Sequence, residues 1–87
     1  MPTYLVESYA AVDLVDAQSE RARLAAAYGC AVRYLRTTFV PCDELLIHVF
    51  EATSSEVLYD AARDVALPYD RIVEAVEIPA GSCEDAR

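Results

Sequence analysis

Apolar and polar residues alternate along four segments of the chain and repeat at helical spacing along two others. Alternation among β-branched and aromatic side chains predicts four strands, at residues 3–9, 31–40, 44–52 and 71–78. Residues 13–28 contain no proline or glycine and are rich in alanine, which predicts a helix between the first two strands. After the third strand, one face of a second helix is marked by Val57, Leu58, Ala61, Ala62 and Val65.

Residues with known capping preferences bound both predicted helices. Asp13 is placed to cap the first helix, and Gly29 suits the position just after its end. Thr53 and Glu56 have the spacing of a capping box, and Pro68 cannot continue the second helix. These signals place each helix between two strands.

The order of elements, β-α-β-β-α-β, predicts an α+β domain of ferredoxin-like type with a four-stranded antiparallel sheet. Residues 1–78 form this single domain, and the small and charged residues 79–87 predict a flexible tail. Both helices are expected on one face of the sheet, which leaves the other face bare. Because the strands are apolar on both sides, we expect a second copy of the chain to cover the bare face in a homodimer.

Composition and charge exclude several classes of partner. The chain has 87 residues, 55% of them apolar and 25% charged, which is more apolar surface than a small monomer can bury. A net charge of −8 argues against nucleic acid or anionic lipid, since both attract a positive surface. No segment is long and apolar enough to predict a membrane span, and the N-terminus has no basic signal-peptide region. Three cysteines without a C-x-x-C pair are typical of a cytoplasmic protein.

Each predicted strand carries one ionisable residue at a position that the alternation would make apolar. In the third strand, His48 lies between Leu46 and Phe50, and both faces of this strand are apolar, which predicts a central, buried strand. The other three residues are Glu7 in the first strand, Arg36 in the second and Glu74 in the fourth. A buried charge is costly unless it is paired or neutralised.

Histidine and glutamate in an apolar cleft are common general acids and bases. One hypothesis is therefore a cofactor-free enzyme in which His48 is the acid or base and Glu7 or Glu74 orients it or acts as the second acid. Arg36 and Tyr34 would hold a carbonyl or enolate oxygen, and Tyr4, Tyr9, Tyr34 and Phe50 would line the cleft. The alternative is structural: a satisfied core histidine and glutamate–arginine pairs that tie strands together. The register between strands, on which a shared cavity depends, does not follow from alternation.

Cofactor and metal sites lack their usual motifs. Gly29 and Gly81 are the only glycines, so no glycine-rich phosphate loop is present and we expect no nucleotide or flavin cofactor. Cys42 lies in a turn beside Pro41 and Asp43, without a positive neighbour that would activate its thiol.

Four segments, YLVESY, RYLRTTFVPCDE, HVFEATSSEVLYDAA and YDRIVEAVEI, together resemble a family of small actinobacterial proteins of unknown function that includes a nickel-binding member. The resemblance implies a ferredoxin-like fold and dimers whose sheets face one another, as in the dimeric α/β barrels. That superfamily also contains cofactor-free monooxygenases, isomerases and polyketide cyclases. The nickel-binding relative carries histidines in its first helix and second strand, where this chain has none.

One imidazole per chain makes a poor site for nickel or zinc, so we expect no metal, although a dimer could bring two copies of His48 together. Two functions follow from the sequence. The first is a cyclase or isomerase acting on an apolar small molecule, in secondary metabolism. The second is a non-catalytic dimer that binds a metal or a small ligand.

Overall fold

The computed structural model describes residues 1–28, 31–76 and 78, and its strands and helices follow the predicted order. The elements are β1 (Thr3–Tyr9), α1 (Val15–Ala25), β2 (Val32–Val40), β3 (Leu45–Ala52), α2 (Ser55–Asp64) and β4 (Arg71–Ala75). The strands form one sheet in the order β2-β3-β1-β4, and each neighbouring pair is antiparallel. The predicted ferredoxin-like α+β fold is confirmed, with β3 as a central strand.

Several predicted boundaries differ from the structure by a few residues. A 3₁₀ turn over Val12–Leu14 contains Asp13, and no side chain caps the start of α1. Ser54, not Thr53, caps α2, because its hydroxyl accepts a hydrogen bond from the Val57 amide at 3.3 Å. β4 ends at Ala75, three residues before the predicted end. The predicted tail, residues 79–87, lies outside the described residues.

One face of the sheet, which we call the covered face, packs under both helices. Tyr4 and Val6 of β1 and Phe50 of β3 form a core with Leu58 and Ala62 of α2. Ala22 and Ala25 of α1 join the same core. Side chains of alanine let the helices approach the sheet closely, while the aromatic residues of β1 and β3 fill the space between them.

We call the opposite side of the sheet the open face. The core residues of both described helices pack on the covered face. The position of the open face follows from the register, since partner residues in antiparallel strands point to the same side. Among the described residues, the side chains of the open face are Thr3, Leu5, Glu7, Tyr9, Arg33, Arg36, Thr38, Val40, Leu45, Ile47, Val49, Glu51, Arg71, Val73 and Ala75. Its apolar members are half-buried, apart from the buried Val49 and the exposed Tyr9.

A β-bulge interrupts β2 near its middle. Tyr34 pairs with Phe50 and Arg36 pairs with Val49, so Leu35 is an extra residue opposite consecutive residues of β3. The extra residue changes which side of the sheet the following side chains occupy. Tyr34 therefore lies on the covered face, whereas Arg36 lies on the open face.

Candidate functional site

The residues singled out by their alternation do not share one face. His48, Tyr34, Tyr4 and Phe50 lie on the covered face, and Glu74 lies on the same side at the exposed edge strand β4. The open face holds the other three, which are Glu7, Tyr9 and Arg36. The sheet thus separates Glu7 from His48 and Glu74, and strand β1 lies between the strands of His48 and Glu74, so these three residues do not meet.

His48 is fully buried and is anchored to β2 by hydroxyl groups. Its Nδ1 lies 2.8 Å from Thr37 Oγ1, and Thr37 Oγ1 lies 2.6 Å from the Tyr34 hydroxyl. We call these two hydrogen bonds the brace. Among the described residues, no partner satisfies the other ring nitrogen, Nε2, whichever nitrogen carries the proton.

Burial controls the protonation of His48. Loss of solvent lowers its pKa from 6.5 to about 4, so the imidazole is neutral at pH 7. A carboxylate partner would oppose this effect, but the structure supplies none at the ring. Val6 lies opposite His48 on β1, and Glu7, the next residue, points to the open face. Glu74 lies on β4 and is separated from β3 by β1.

The predicted aromatic cleft is instead a packed core. Tyr34 and Phe50 contact each other with ring centroids 5.5 Å apart, and Phe50 and Tyr4 are buried beneath the helices. These side chains contact protein atoms where a ligand was expected. Tyr9 alone of the predicted lining is well exposed, with 70% of its surface accessible on the open face.

Between described residues of the open face, one ion pair joins Arg71 to Glu7 and another joins Arg33 to Glu51. Arg71 Nε donates to Glu7 Oε1 at 2.9 Å, and this hydrogen bond raises the pKa of the arginine. Arg33 Nη1 lies 3.4 Å from Glu51 Oε1 at the diagonally opposite part of the face. The Glu7 side chain is 16% exposed and lies among apolar side chains. The ion pair with Arg71 therefore lies on a mainly apolar surface.

The row between these ion pairs is apolar. Leu5 pairs with Val49 on one side and with Val73 on the other, so three aliphatic side chains line up across β3, β1 and β4. Ile47 lies beside Glu7 in the adjacent row. The open face therefore combines an aliphatic centre with charges of both signs.

Sequence reasoning did not identify Thr37, Arg71 or Ser8. Thr37 is the direct partner of His48, Arg71 holds Glu7, and the buried Ser8 hydroxyl donates to Gln18 Oε1 at 3.1 Å. Thr37 alternates with the apolar Phe39, which was a signal that its side chain points inward. The contacts of Arg71 and Ser8 join residues far apart in the sequence and had no local signal.

A small pocket of about 160 Å³ opens near the C-terminal end of α1 and the first residues of β2. The pocket is lined by alanine and valine side chains and by Asp60 and Asp64 of α2. Asp60 already accepts a hydrogen bond from Arg63 at 2.8 Å. Neither His48 nor any side chain of the open face lines this pocket.

The described part of the chain contains no cluster of three or more histidine, cysteine, aspartate or glutamate side chains that could hold a metal ion. Cys42 is a free thiol in an exposed turn, as the sequence suggested. No helix among the described residues is long and apolar enough to cross a bilayer.

The chain matches no protein-family model and no curated protein. Among solved structures, its fold is similar to that of SCO4226 from Streptomyces coelicolor A3(2), with a TM-score of 0.66 and 11% sequence identity. The similarity covers 88% of this chain and 99% of the other. At this identity the comparison supports the fold alone.

Proposed function

We propose that the chain is a homodimeric binding protein that encloses an apolar small molecule between the open faces of two copies. The observation that carries the proposal is the aliphatic row Leu5–Val49–Val73 on the open face. Each copy would cover the aliphatic row of the other, because a contiguous apolar patch in water favours association.

The charge distribution supports a second copy as the occupant of the open face. The whole chain carries −8, but among the charged residues that the structure describes, the open face holds Arg33, Arg36 and Arg71 against only two acidic residues, Glu7 and Glu51. Two acidic chains therefore repel each other least when their open faces approach. Glutamate and arginine at separate points of one face also suit a two-fold interface, in which the same surface must complement itself.

The ligand proposed here is an apolar molecule with one polar group. Aliphatic side chains would contact its body, and the Glu7–Arg71 pair would orient its polar end. A free Cys42 thiol and the cysteine spacing fit a reducing compartment, and we place the dimer in the cytoplasm.

The first experiment measures the oligomeric state together with binding of an apolar dye. Sedimentation equilibrium at micromolar concentration should give about twice the chain mass of 9.6 kDa. Ile47→Glu places a charge beside Glu7 on the open face and should yield a monomer. The fluorescent probe anilinonaphthalene sulfonate should bind the wild-type dimer at a saturable site, whereas this variant, whose open face is exposed to water, should bind it weakly and without saturation.

Leu24→Glu is the matched control, because Leu24 is an exposed apolar residue of α1 outside the open face. It should leave both the dimer and dye binding unchanged. Near-UV circular dichroism of each variant checks that the dye reports a folded protein. A wild-type monomer that does not bind the dye would refute the proposal.

A second candidate, acid/base catalysis in the same dimer, is favoured by the environment of Glu7. Its side chain is 16% exposed and lies where a ligand between the sheets would contact it. A second copy over the open face would exclude the remaining solvent from this side chain, and a carboxylate in a cavity closed to water is a common general base. Proton transfer in a cyclisation or isomerisation would then use Glu7, with Arg71 beside it to stabilise a developing negative charge.

Deuterium exchange into the α-position of a cyclic ketone tests the catalytic candidate without the natural substrate. The wild-type dimer should accelerate this exchange, and Glu7→Gln should not, while both proteins bind the dye. Exchange no faster than in buffer would leave ligand binding as the only function that we propose.

The buried position of His48 does not favour a catalytic or metal-binding role for it. In a dimer of facing open faces, the two imidazoles lie on the outer, helix-covered sides of their sheets, with both sheets between them. Two copies of His48 therefore cannot contact one ion. The metal-binding alternative is accordingly not our proposal.

A further inference from the structure

The bulge at Leu35 and the buried His48 are neighbours in the fold. Tyr34 lies immediately before the bulge and Thr37 lies just after it, and the hydrogen bond between their hydroxyls spans it. Thr37 is also the Cα partner of His48 and bonds to its Nδ1. The brace thus joins both sides of the bulge to the central strand.

The location of a bulge decides which side chains of its strand face each side of the sheet. A bulge placed before Tyr34 would turn the Tyr34 side chain to the open face. A bulge placed after Thr37 would turn Thr37 to the open face and Arg36 to the covered face. Only a bulge between these two residues lets both hydroxyls reach the covered face, where His48 lies.

We infer that His48 is a positioning residue whose Nδ1, through Thr37 and Tyr34, holds the β2 bulge at Leu35 and thereby keeps Arg36 on the open face. Buried polar groups are known to select one register over competitors of similar hydrophobic burial. In this protein, the competing arrangements are pairings of β2 with β3 in which the extra residue lies at a different position along the edge strand β2. The inference rests on the proposed function only for the role of Arg36 at the dimer interface.

The chemistry of the imidazole suggests a discriminating pair of variants. The asparagine side-chain amide can occupy the place of Nδ1, whereas the glutamine amide reaches the place of Nε2. His48→Asn should keep the bond to Thr37, and His48→Gln should lose it. Thr37→Val removes the same bond while the imidazole stays in place. Ser8→Ala is the control, because it removes another buried hydroxyl hydrogen bond of the covered face outside β2.

Amide hydrogen exchange and cross-strand NMR contacts measure the outcome directly. In His48→Gln and Thr37→Val, amides of residues 34–38 should exchange about tenfold faster, while the pairing of β1 with β3 keeps its protection. The backbone contact between Arg36 and Val49 should weaken in both variants. His48→Asn and Ser8→Ala should keep that contact and normal exchange in β2.

Two results would overturn the inference. One is an unchanged Arg36–Val49 contact in Thr37→Val, and the other is an equal loss in His48→Asn and His48→Gln. Sedimentation of the same samples should show that the dimer of His48→Gln is about tenfold weaker than that of Ser8→Ala, a difference of about 1.4 kcal/mol. If the wild type is itself a monomer, the proposed function fails, while the exchange data still decide the role of His48.

Discussion

Polar side chains among apolar neighbours are stabilised differently on the two faces of the sheet. On the covered face, the neutral imidazole of His48 bonds to the hydroxyl of Thr37, which bonds to the hydroxyl of Tyr34. On the open face, Glu7 and Arg71 form an ion pair. The covered face has the helices above it and excludes water, whereas Arg71 remains 66% exposed. Burial on the covered face favours neutral hydrogen-bonded groups, whereas partial exposure on the open face permits an ion pair.

This difference indicates where function can lie. His48, Phe50 and Tyr4 of the covered face contact the protein interior, so they can position other residues but do not face a ligand. The open face combines partial exposure, aliphatic surface and charge, and our proposed binding surface lies there. A polar residue in an apolar strand pattern is thus a structural element on one face and a candidate binding residue on the other.

The largest difference between the faces should appear when an aromatic side chain is truncated. Phe50→Ala removes a fully buried ring from the covered face and should reduce the free energy of unfolding by about 3–5 kcal/mol. Tyr9→Ala on the open face should cost less than about 1 kcal/mol in the monomeric Ile47→Glu background. Urea unfolding followed by circular dichroism measures both. Similar losses at the two sites would contradict the assignment of a covered and an open face.

Acid should destabilise the covered face through His48. The pKa of His48 is about 4 when folded, against 6.5 as the ordinary value, so the folded protein binds fewer protons than the unfolded chain between these pH values. Stability is therefore fully present above pH 6.5 and falls as the pH is lowered toward 4, by up to about 3 kcal/mol.

Urea unfolding at a series of pH values, with His48→Asn as the reference, isolates this contribution from the titrating carboxylates. The wild type should lose stability relative to the variant as the pH falls through this window. A constant difference between the two proteins would mean that His48 is not held neutral by burial.

The smallest effect should come from the ion pair of the open face. At a concentration low enough to keep the chain monomeric, a double-mutant cycle of Glu7→Gln and Arg71→Gln should give a coupling below about 1 kcal/mol, because Arg71 is largely exposed. Salt should reduce it further. A coupling of several kcal/mol, insensitive to salt, would remove the contrast between the two faces. The same cycle in the dimer should give a larger coupling if the second copy excludes water from Glu7.

The sequence predicted the burial of His48 but not its partners. The apolar residues on both faces of β3 indicated a central strand, and the imidazole is indeed fully buried. The expected partner carboxylates, Glu7 and Glu74, lie elsewhere because alternation relates residues within one strand and leaves the register between strands open. Thr37 became the partner through its pairing with β3.

Arg36 shows a second limit of the alternation rule. Counting by twos along β2 placed it on the same face as Tyr34, but the extra residue Leu35 moves it to the other side of the sheet. A bulge adds one residue without a distinctive local sequence, and its location depends on contacts with the neighbouring strand. No periodicity within β2 alone could have located it.

By itself, the sequence determined the four strands, the two helices, their order and the ferredoxin-like fold, because these depend on local periodicity and on short connections. It also determined that His48 lies in a buried strand. Only the tertiary structure decided that His48 bonds to Thr37, that Glu7 bonds to Arg71, and that the two pairs occupy opposite faces. The physical reason is that hydrogen bonds between strands depend on register, which arises when the whole sheet and the helices above it pack together.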